Sequence, residues 1–148
     1  MKLAHVVIGV RDARKSQQWY ADVLGMEPVS YLEGINMGFL SFGANHHDIA
    51  LMNVPEGQPV GSAAGTHVAF QIEGGMDELK ALYQRLKSKG VNVENGHDFG
   101  FLNGFYFYDP DGNRLELFYD YLPVHEARET LRGKGNTFRR VDLETAPA

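Results

Sequence analysis

The order of secondary-structure signals repeats once along this chain, and that repeat limits the fold more than any single motif. Residues 3–10, LAHVVIGV, are rich in β-branched residues and read as a strand. DARKSQQWYADVLG follows, with Asp12 placed to cap a helix, Gly25 placed to end it, and Trp19, Tyr20, Val23 and Leu24 as its apolar stripe. Three strand-like runs come next, EPVSYLE, INMGFLSFG and HDIALMNV, punctuated by glycine, asparagine and proline. After PEGQPVGSAAG the pattern restarts. THVAFQI reads as a strand. MDELKALYQRLKSKG reads as a helix, with Leu79, Leu82, Tyr83 and Leu86 at helical spacing and Gly90 closing it. VNVEN, GFYFYD and NRLELFYD are strands again. Laid over one another, the halves bring His5 onto His67, Gly25 onto Gly90, Phe39 onto Phe105 and Ala50 onto Glu116.

One such copy has too little apolar surface to stand alone, so two are expected to pack together. The expected class is α+β: two paired βαβββ modules, residues 1–60 and 65–122, forming one domain with curved mixed sheets. The tail, residues 123–148, offers only a short helix around HEARETLRGKG, at 125–135.

Composition narrows the function classes. At 148 residues, 43% hydrophobic and 22% charged, the chain suits one globular domain that buries a core without staples. It has no cysteine, which excludes disulfides and thiolate metal sites and suits a reducing compartment. The apolar run at 3–10 is followed at once by Arg11 and Asp12, unlike a secretion signal. No stretch approaches the roughly 20 apolar residues of a membrane span. The net charge is −5 with no basic stripe, so neither nucleic acid nor membrane is an expected partner, and the expected location is the cytoplasm.

Glu116 lies between Leu115 and Leu117 in what reads as a buried strand, and a buried carboxylate needs a partner. His5 and His67 occupy equivalent places at the first strand of each half. A strand histidine taken singly is more often a core or surface residue. Two at equivalent positions, together with a buried glutamate, fit the set of two imidazoles and one carboxylate that holds Fe(II) and leaves open coordination positions. On that reading the partner of Glu116 is a divalent metal, held between the sheets by His5, His67 and Glu116.

The stretch from Asn95 to Glu116 is more specific. It supplies Asn95, Gly96, His97, a gap of seven, Phe105, Tyr106, two residues, Asp109, Pro110, one residue, Gly112, three residues and Glu116. This resembles the ring-cleavage signature of type I extradiol dioxygenases, within the vicinal oxygen chelate superfamily, and every fixed position is met. The module resemblance covers residues 1–122.

The resemblance implies a single-domain, catechol 2,3-dioxygenase-like enzyme. Its metal would be Fe(II), or Mn(II), on His5, His67 and Glu116. Tyr106 would hydrogen-bond a deprotonated catechol oxygen and His97 would orient the same end. His47, in the His-Asp-Ile-Ala context, would act as base and then acid, with His46 the weaker candidate for that role. The implied partners are a catechol and dioxygen, both of whose oxygen atoms enter a muconic-semialdehyde-type product, and the chain is expected to form a homo-oligomer. DPDGN reads as a turn without chemistry and His125 as a surface residue. Phe99, Phe101, Leu102 and Phe105 suggest an apolar pocket. Familiar enzymes of this type have two such domains, so the outer wall of the pocket is expected from the tail or a second subunit.

Three relatives compete. Glyoxalase-like enzymes use a fourth ligand where this chain has Ala50, although Asp48 lies two positions away. Metal-dependent thiol transferases share the His-His-Glu set but have a threonine where Val7 stands, and are not expected to need His47 and His97. Non-enzymatic drug-binding relatives lack the metal set.

Overall fold

The computed structural model describes residues 1–133 and 137–145. The expected helix in the tail is present through Arg132, and the Lys134-Gly135 end of that expectation lies outside the described residues. The chain divides into two compact units: residues 1–65 with 109–113, and residues 66–108 with 114–148. Each carries one mixed sheet, and the architecture is α+β.

In the first unit, β1 (Val6–Val10) runs parallel to β4 (Ile49–Asn53), and β3 (Met37–Ser41) and β2 (Glu27–Leu32) follow antiparallel, in the order β1-β4-β3-β2. The parallel step needs a crossover, supplied by α1 (Ala13–Leu24). Asp12 caps α1 by accepting from the Arg14 and Lys15 amides, and Gly25 ends it at φ 73°, in the left-handed region. The buried face of the helix is Ala13, Ser16, Gln17, Tyr20 and Val23, while Trp19 and Leu24 are half-buried. The polar Gln17 belongs inside because its amide donates to the Ser30 and Phe39 carbonyls at 2.9 and 3.0 Å, tying α1 to β2 and β3.

The DPDGN turn is held within this unit. Asp109 is buried and accepts from the Tyr20 hydroxyl at 3.0 Å and from the Asn113 side chain at 2.8 Å, while Asn113 also donates to the Gly9 carbonyl. Burial pushes the Asp109 carboxyl up and these hydrogen bonds only partly offset it.

The second unit repeats the plan. β5 (Val68–Gln71) lies parallel to β8 (Arg114–Asp120), with α2 (Met76–Ser88) as the crossover, then β7 (Leu102–Tyr108) and β6 (Val93–Asp98) antiparallel. Leu79, Tyr83 and Leu86 of α2 are buried, as are Phe105, Phe107, Leu115 and Leu117 of the sheet. Tyr83 meets Phe105 edge-on at 5.2 Å. Side chains alternate along a strand, so Tyr106, Tyr108, Arg114 and Glu116 share the opposite face.

Three features depart from the sequence reading. β6 runs on through His97 and Asp98, so His97 is a strand residue only 2% exposed. The tail forms α3 (Val124–Arg132) and then β9 (Arg139–Val141), which pairs antiparallel with β6 as a fifth strand. Register also moves the repeat by one residue at one place. Ala50 pairs with Phe39, and Glu116 pairs with Tyr106, so Phe39 corresponds to Tyr106 and not to Phe105.

Candidate functional site

His5 and His67 each stand one residue before the first strand of their unit, at the same step of the repeat. The register then aligns Val7 with Ala50 and Ala69 with Glu116. The strand pattern therefore equates Ala50 with Glu116. The first unit lacks a carboxylate there because the sequence places alanine at that step.

In the second unit Glu116 is 5% exposed between Leu115 and Leu117, and its partners are imidazoles. Nε2 of His97 lies 2.7 Å from one carboxylate oxygen, and Nε2 of His67 lies 3.0 Å from the other. His97 reaches Glu116 from β6 by passing over β7 at Gly104, its register partner. A Cβ on Gly104 would lie 2.9 Å from the His97 Nε2 and 2.8 Å from the Leu117 carbonyl, so the residue must be glycine for the two to meet. A glycine inside a strand marks such close approaches, and this one was not singled out from the sequence. Among the described residues Nδ1 of His97 is buried without a hydrogen-bond partner, so the imidazole carries its proton on Nε2 and donates it to Glu116.

Tyr106 completes the cluster. Its ring stacks on His97 with centroids 4.5 Å apart and meets His67 edge-on at 5.1 Å. On its other flank the Arg114 guanidinium sits 3.6 Å from the ring centroid and binds Glu94 through two hydrogen bonds of 3.1 and 2.9 Å. Burial, then the Glu116 charge, raises the Tyr106 phenol, with Arg114 opposing. Tyr106 is thus held protonated and able to donate. Burial would raise Glu94, but Arg114 and the Tyr108 hydroxyl outweigh it and hold that carboxyl low.

Of the suggested apolar pocket residues, Phe105 is fully buried core against Tyr83 and is not available to a ligand. Phe99 contacts His97 at 5.2 Å and Phe138 of the tail at 5.3 Å. A cleft of about 540 Å³ opens on this face, lined by Glu94, His97, Tyr106, Arg114, Phe138 and Arg140 among others. Glu116 and His67 do not line it, but His97 and Tyr106 touch them.

In the first unit His47 is half-buried, 4.5 Å from His5 and 5.1 Å from Phe39 between ring centroids. His46 is exposed and reaches His47 through facing Nδ1 atoms at 2.6 Å. Partial burial, then His46 and His5, hold the His47 pKa below the ordinary histidine range. Asp48 shapes the loop beneath these residues. It accepts from the Phe42 amide at 2.7 Å, the Asn45 amide at 2.7 Å and the Ser41 hydroxyl at 3.2 Å. Its carboxylate is therefore engaged in the loop and not offered as a ligand. His125 is exposed beside Glu126.

Among the described residues, no three His, Asp or Glu side chains are gathered into one metal-holding group. His67 and Glu116 meet within the second unit, and His5 belongs to the first. The donor chemistry of the pair suits a divalent cation. Two ligand atoms each about 2.1 Å from an ion and at right angles lie about 3.0 Å apart, which is the His67–Glu116 separation. The His97 donor on the second carboxylate oxygen is the kind of outer partner that orients a ligating carboxylate.

The chain is 34% identical over 119 residues to biphenyl-2,3-diol 1,2-dioxygenase 2 of Rhodococcus globerulus, covering 78% of this chain and 61% of that protein. It is 32% identical over 118 residues to the metallothiol transferase FosB of Staphylococcus epidermidis, covering 76% and 78%. Its fold matches a crystal structure of the fosfomycin resistance protein FosX of Listeria monocytogenes, an E126Q variant with Mn(II) and a dihydroxypropylphosphonic acid, at a TM-score of 0.69 and 21% identity over 86% of this chain and 97% of that one. No helix among the described residues is long and apolar enough to cross a membrane. The sequence profile of the Glyoxalase/Bleomycin resistance protein/Dioxygenase superfamily matches residues 2–117, and the chain belongs to that superfamily.

Proposed function

We propose that the protein is an Fe(II)-dependent extradiol dioxygenase that opens the ring of a catechol beside its two hydroxyls, with Mn(II) the alternative metal. The observation that carries this reading is the contact set around Glu116: His97 on one oxygen, His67 on the other, and Tyr106 against both imidazoles. His5, His67 and Glu116 would hold the metal. A metal held there would supply Lewis acidity that lowers the pKa of a chelating diol and a redox path for electrons from the diol to dioxygen.

The chain's own groups bind, orient and move protons. Tyr106, held protonated, donates to the ionised diol oxygen. His97 fixes the Glu116 carboxylate through Nε2–H and backs the Tyr106 ring, so it acts by positioning. His47, kept neutral by burial and its imidazole neighbours, accepts the second hydroxyl proton and returns it when the ring opens. Self-association belongs to the same proposal. The edge strand β2 and the turn after it leave Val29, Leu32 and Ile35 exposed, and light scattering of the purified chain measures it.

The test is oxygen uptake. The protein is loaded with Fe(II) without air and given catechol, 3-methylcatechol or 2,3-dihydroxybiphenyl, and then air is admitted. Oxygen consumption with a yellow ring-opened product is expected. Bound iron with no uptake on any of the three overturns ring cleavage. The similarity to the thiol transferase favours a second reading, addition of a thiol to an epoxide, which a thiol-consumption assay with fosfomycin checks directly. His47 and His97 support the first reading because the second has no use for that pair.

A further inference from the structure

The cleft beside His97 and Tyr106 takes its outer wall from the tail, and that wall carries a charge with no counterpart among the described residues. β9 is firmly seated. A Cβ on Gly96 would lie 2.9 Å from the Val141 carbonyl and 2.8 Å from Leu143, so the glycine lets the strand close on β6. Leu143 is buried, Arg139 pairs with Asp98 at 2.5 Å, and Glu144 binds Gln84 and Lys87. The register pairs Arg140 with His97, so Arg140 lies on the same face as His97, Gly104 and Tyr106 and lines the cleft.

The charges there do not balance. Arg114 is bound in two places by Glu94, and Arg139 is bound by Asp98 on the other face. Among the described residues the Arg140 side chain makes no ion pair or hydrogen bond. Among the described residues the cleft therefore holds two guanidinium groups and one carboxylate, and its unpaired cation shares the lining with the aromatic rings of Phe138 and Tyr106. Its volume of about 540 Å³ suits one small aromatic molecule. A guanidinium presents paired N–H donors that match a carboxylate.

We propose that Arg140 is a specificity-determining residue, and that the preferred ligand is an aromatic diol bearing a carboxylate. The diol part of this proposal rests on the ring-cleavage reading, while the carboxylate part rests on the cleft alone. Calorimetric titration tests it on the full chain, metal-free and loaded with Mn(II), using 3,4-dihydroxybenzoate and 4-methylcatechol as probes.

The carboxylated probe should bind about tenfold more tightly, as a charge-assisted pair in a half-enclosed cleft allows. The advantage should shrink as salt is raised. Arg140→Gln should abolish it while leaving 4-methylcatechol binding and the melting temperature unchanged, because the side chain is exposed and makes no ion pair or hydrogen bond among the described residues. Equal affinity for the two probes in the native chain overturns the proposal, as does a preference that survives Arg140→Gln. Oxygen uptake separates the two readings. A carboxylate preference without uptake leaves Arg140 in its role and removes ring cleavage. Uptake on neutral diols without a carboxylate preference does the reverse.

Discussion

His97 and Glu116 meet at 2.7 Å from strands that are not neighbours, across the one position of β7 that has no side chain. The contact depends on Gly104 more than on either partner's own strand. Gly104→Ala would set a methyl group 2.9 Å from the His97 Nε2, with the Leu117 carbonyl 2.8 Å away and unable to yield. Overpacking of this kind costs about 1–3 kcal/mol. The expected result is a lower melting temperature together with weaker metal binding. A double-mutant cycle of Gly104→Ala with His97→Ala should be strongly non-additive, because both remove the same contact. Simple additivity would show that the alanine acts elsewhere.

Among the described residues Glu116 meets two imidazoles and no other hydrogen-bond or ion-pair partner, so replacing its carboxylate tests the metal assignment. Glu116→Gln keeps the shape and the contact with His97 but is a poor ligand. It should lose metal and turnover together, read by metal analysis after gel filtration and by oxygen uptake. His97→Ala should be milder, weakening metal about 10- to 100-fold, as loss of an orienting partner does. Full activity in Glu116→Gln would remove the carboxylate from the metal set.

Much of this arrangement can be read in the sequence, and what cannot has physical causes. The repeat of strand, helix and three strands is visible because apolar periodicity and the end signals Asp12, Gly25 and Gly90 are local. Glu116 is conspicuous because it breaks an apolar run. The place of His97 is hidden. The residues around it, Gly96, Asp98, Phe99 and Gly100, look like a loop, and only pairing with β7 on one side and β9 on the other makes Gly96, His97 and Asp98 a strand. β9 itself is three residues of Arg-Arg-Val, with no propensity to identify it, and it exists because Gly96 and Asp98 receive it. The repeat alignment sets Phe39 against Phe105, whereas strand pairing sets it against Tyr106, for the same reason. Register is set by pairing across strands, and a slip of one residue turns a core aromatic into a site aromatic.

His47 should separate binding from turnover. It touches His5 by ring contact only and lies in a loop that Asp48 organises independently. His47→Ala is therefore expected to keep its metal and bind catechol, with turnover reduced about 10²- to 10⁴-fold, the usual contribution of a positioned acid–base group. Metal analysis, catechol titration and steady-state rates check the three parts. An empty metal site in this variant would mean that His47 is a ligand.

Asp98 should set the acid limit of the tail's attachment. Burial would raise its carboxyl, but the Gly100 amide at 2.6 Å, the Tyr121 hydroxyl at 2.9 Å and the Arg139 guanidinium outweigh it and hold the group low. Burial first, and then Asp98, pushes Tyr121 up to about 12, so it stays a donor throughout. A folded-state pKa below the unfolded value gives stability that is complete above the unfolded value, near 4, and is lost as pH falls through the folded one. Asp98→Asn should therefore cost about 2 kcal/mol at neutral pH, through loss of charge-assisted hydrogen bonds, and little in acid. Denaturant unfolding of both proteins between about pH 7 and about pH 3 should show the gap closing on the acid side. A gap that stays constant would mean that Asp98 acts through shape and not charge. Because Asp98 anchors Arg139, the same substitution should loosen β9 and reduce the carboxylate preference assigned to Arg140 without touching Glu116, His67 or Tyr106.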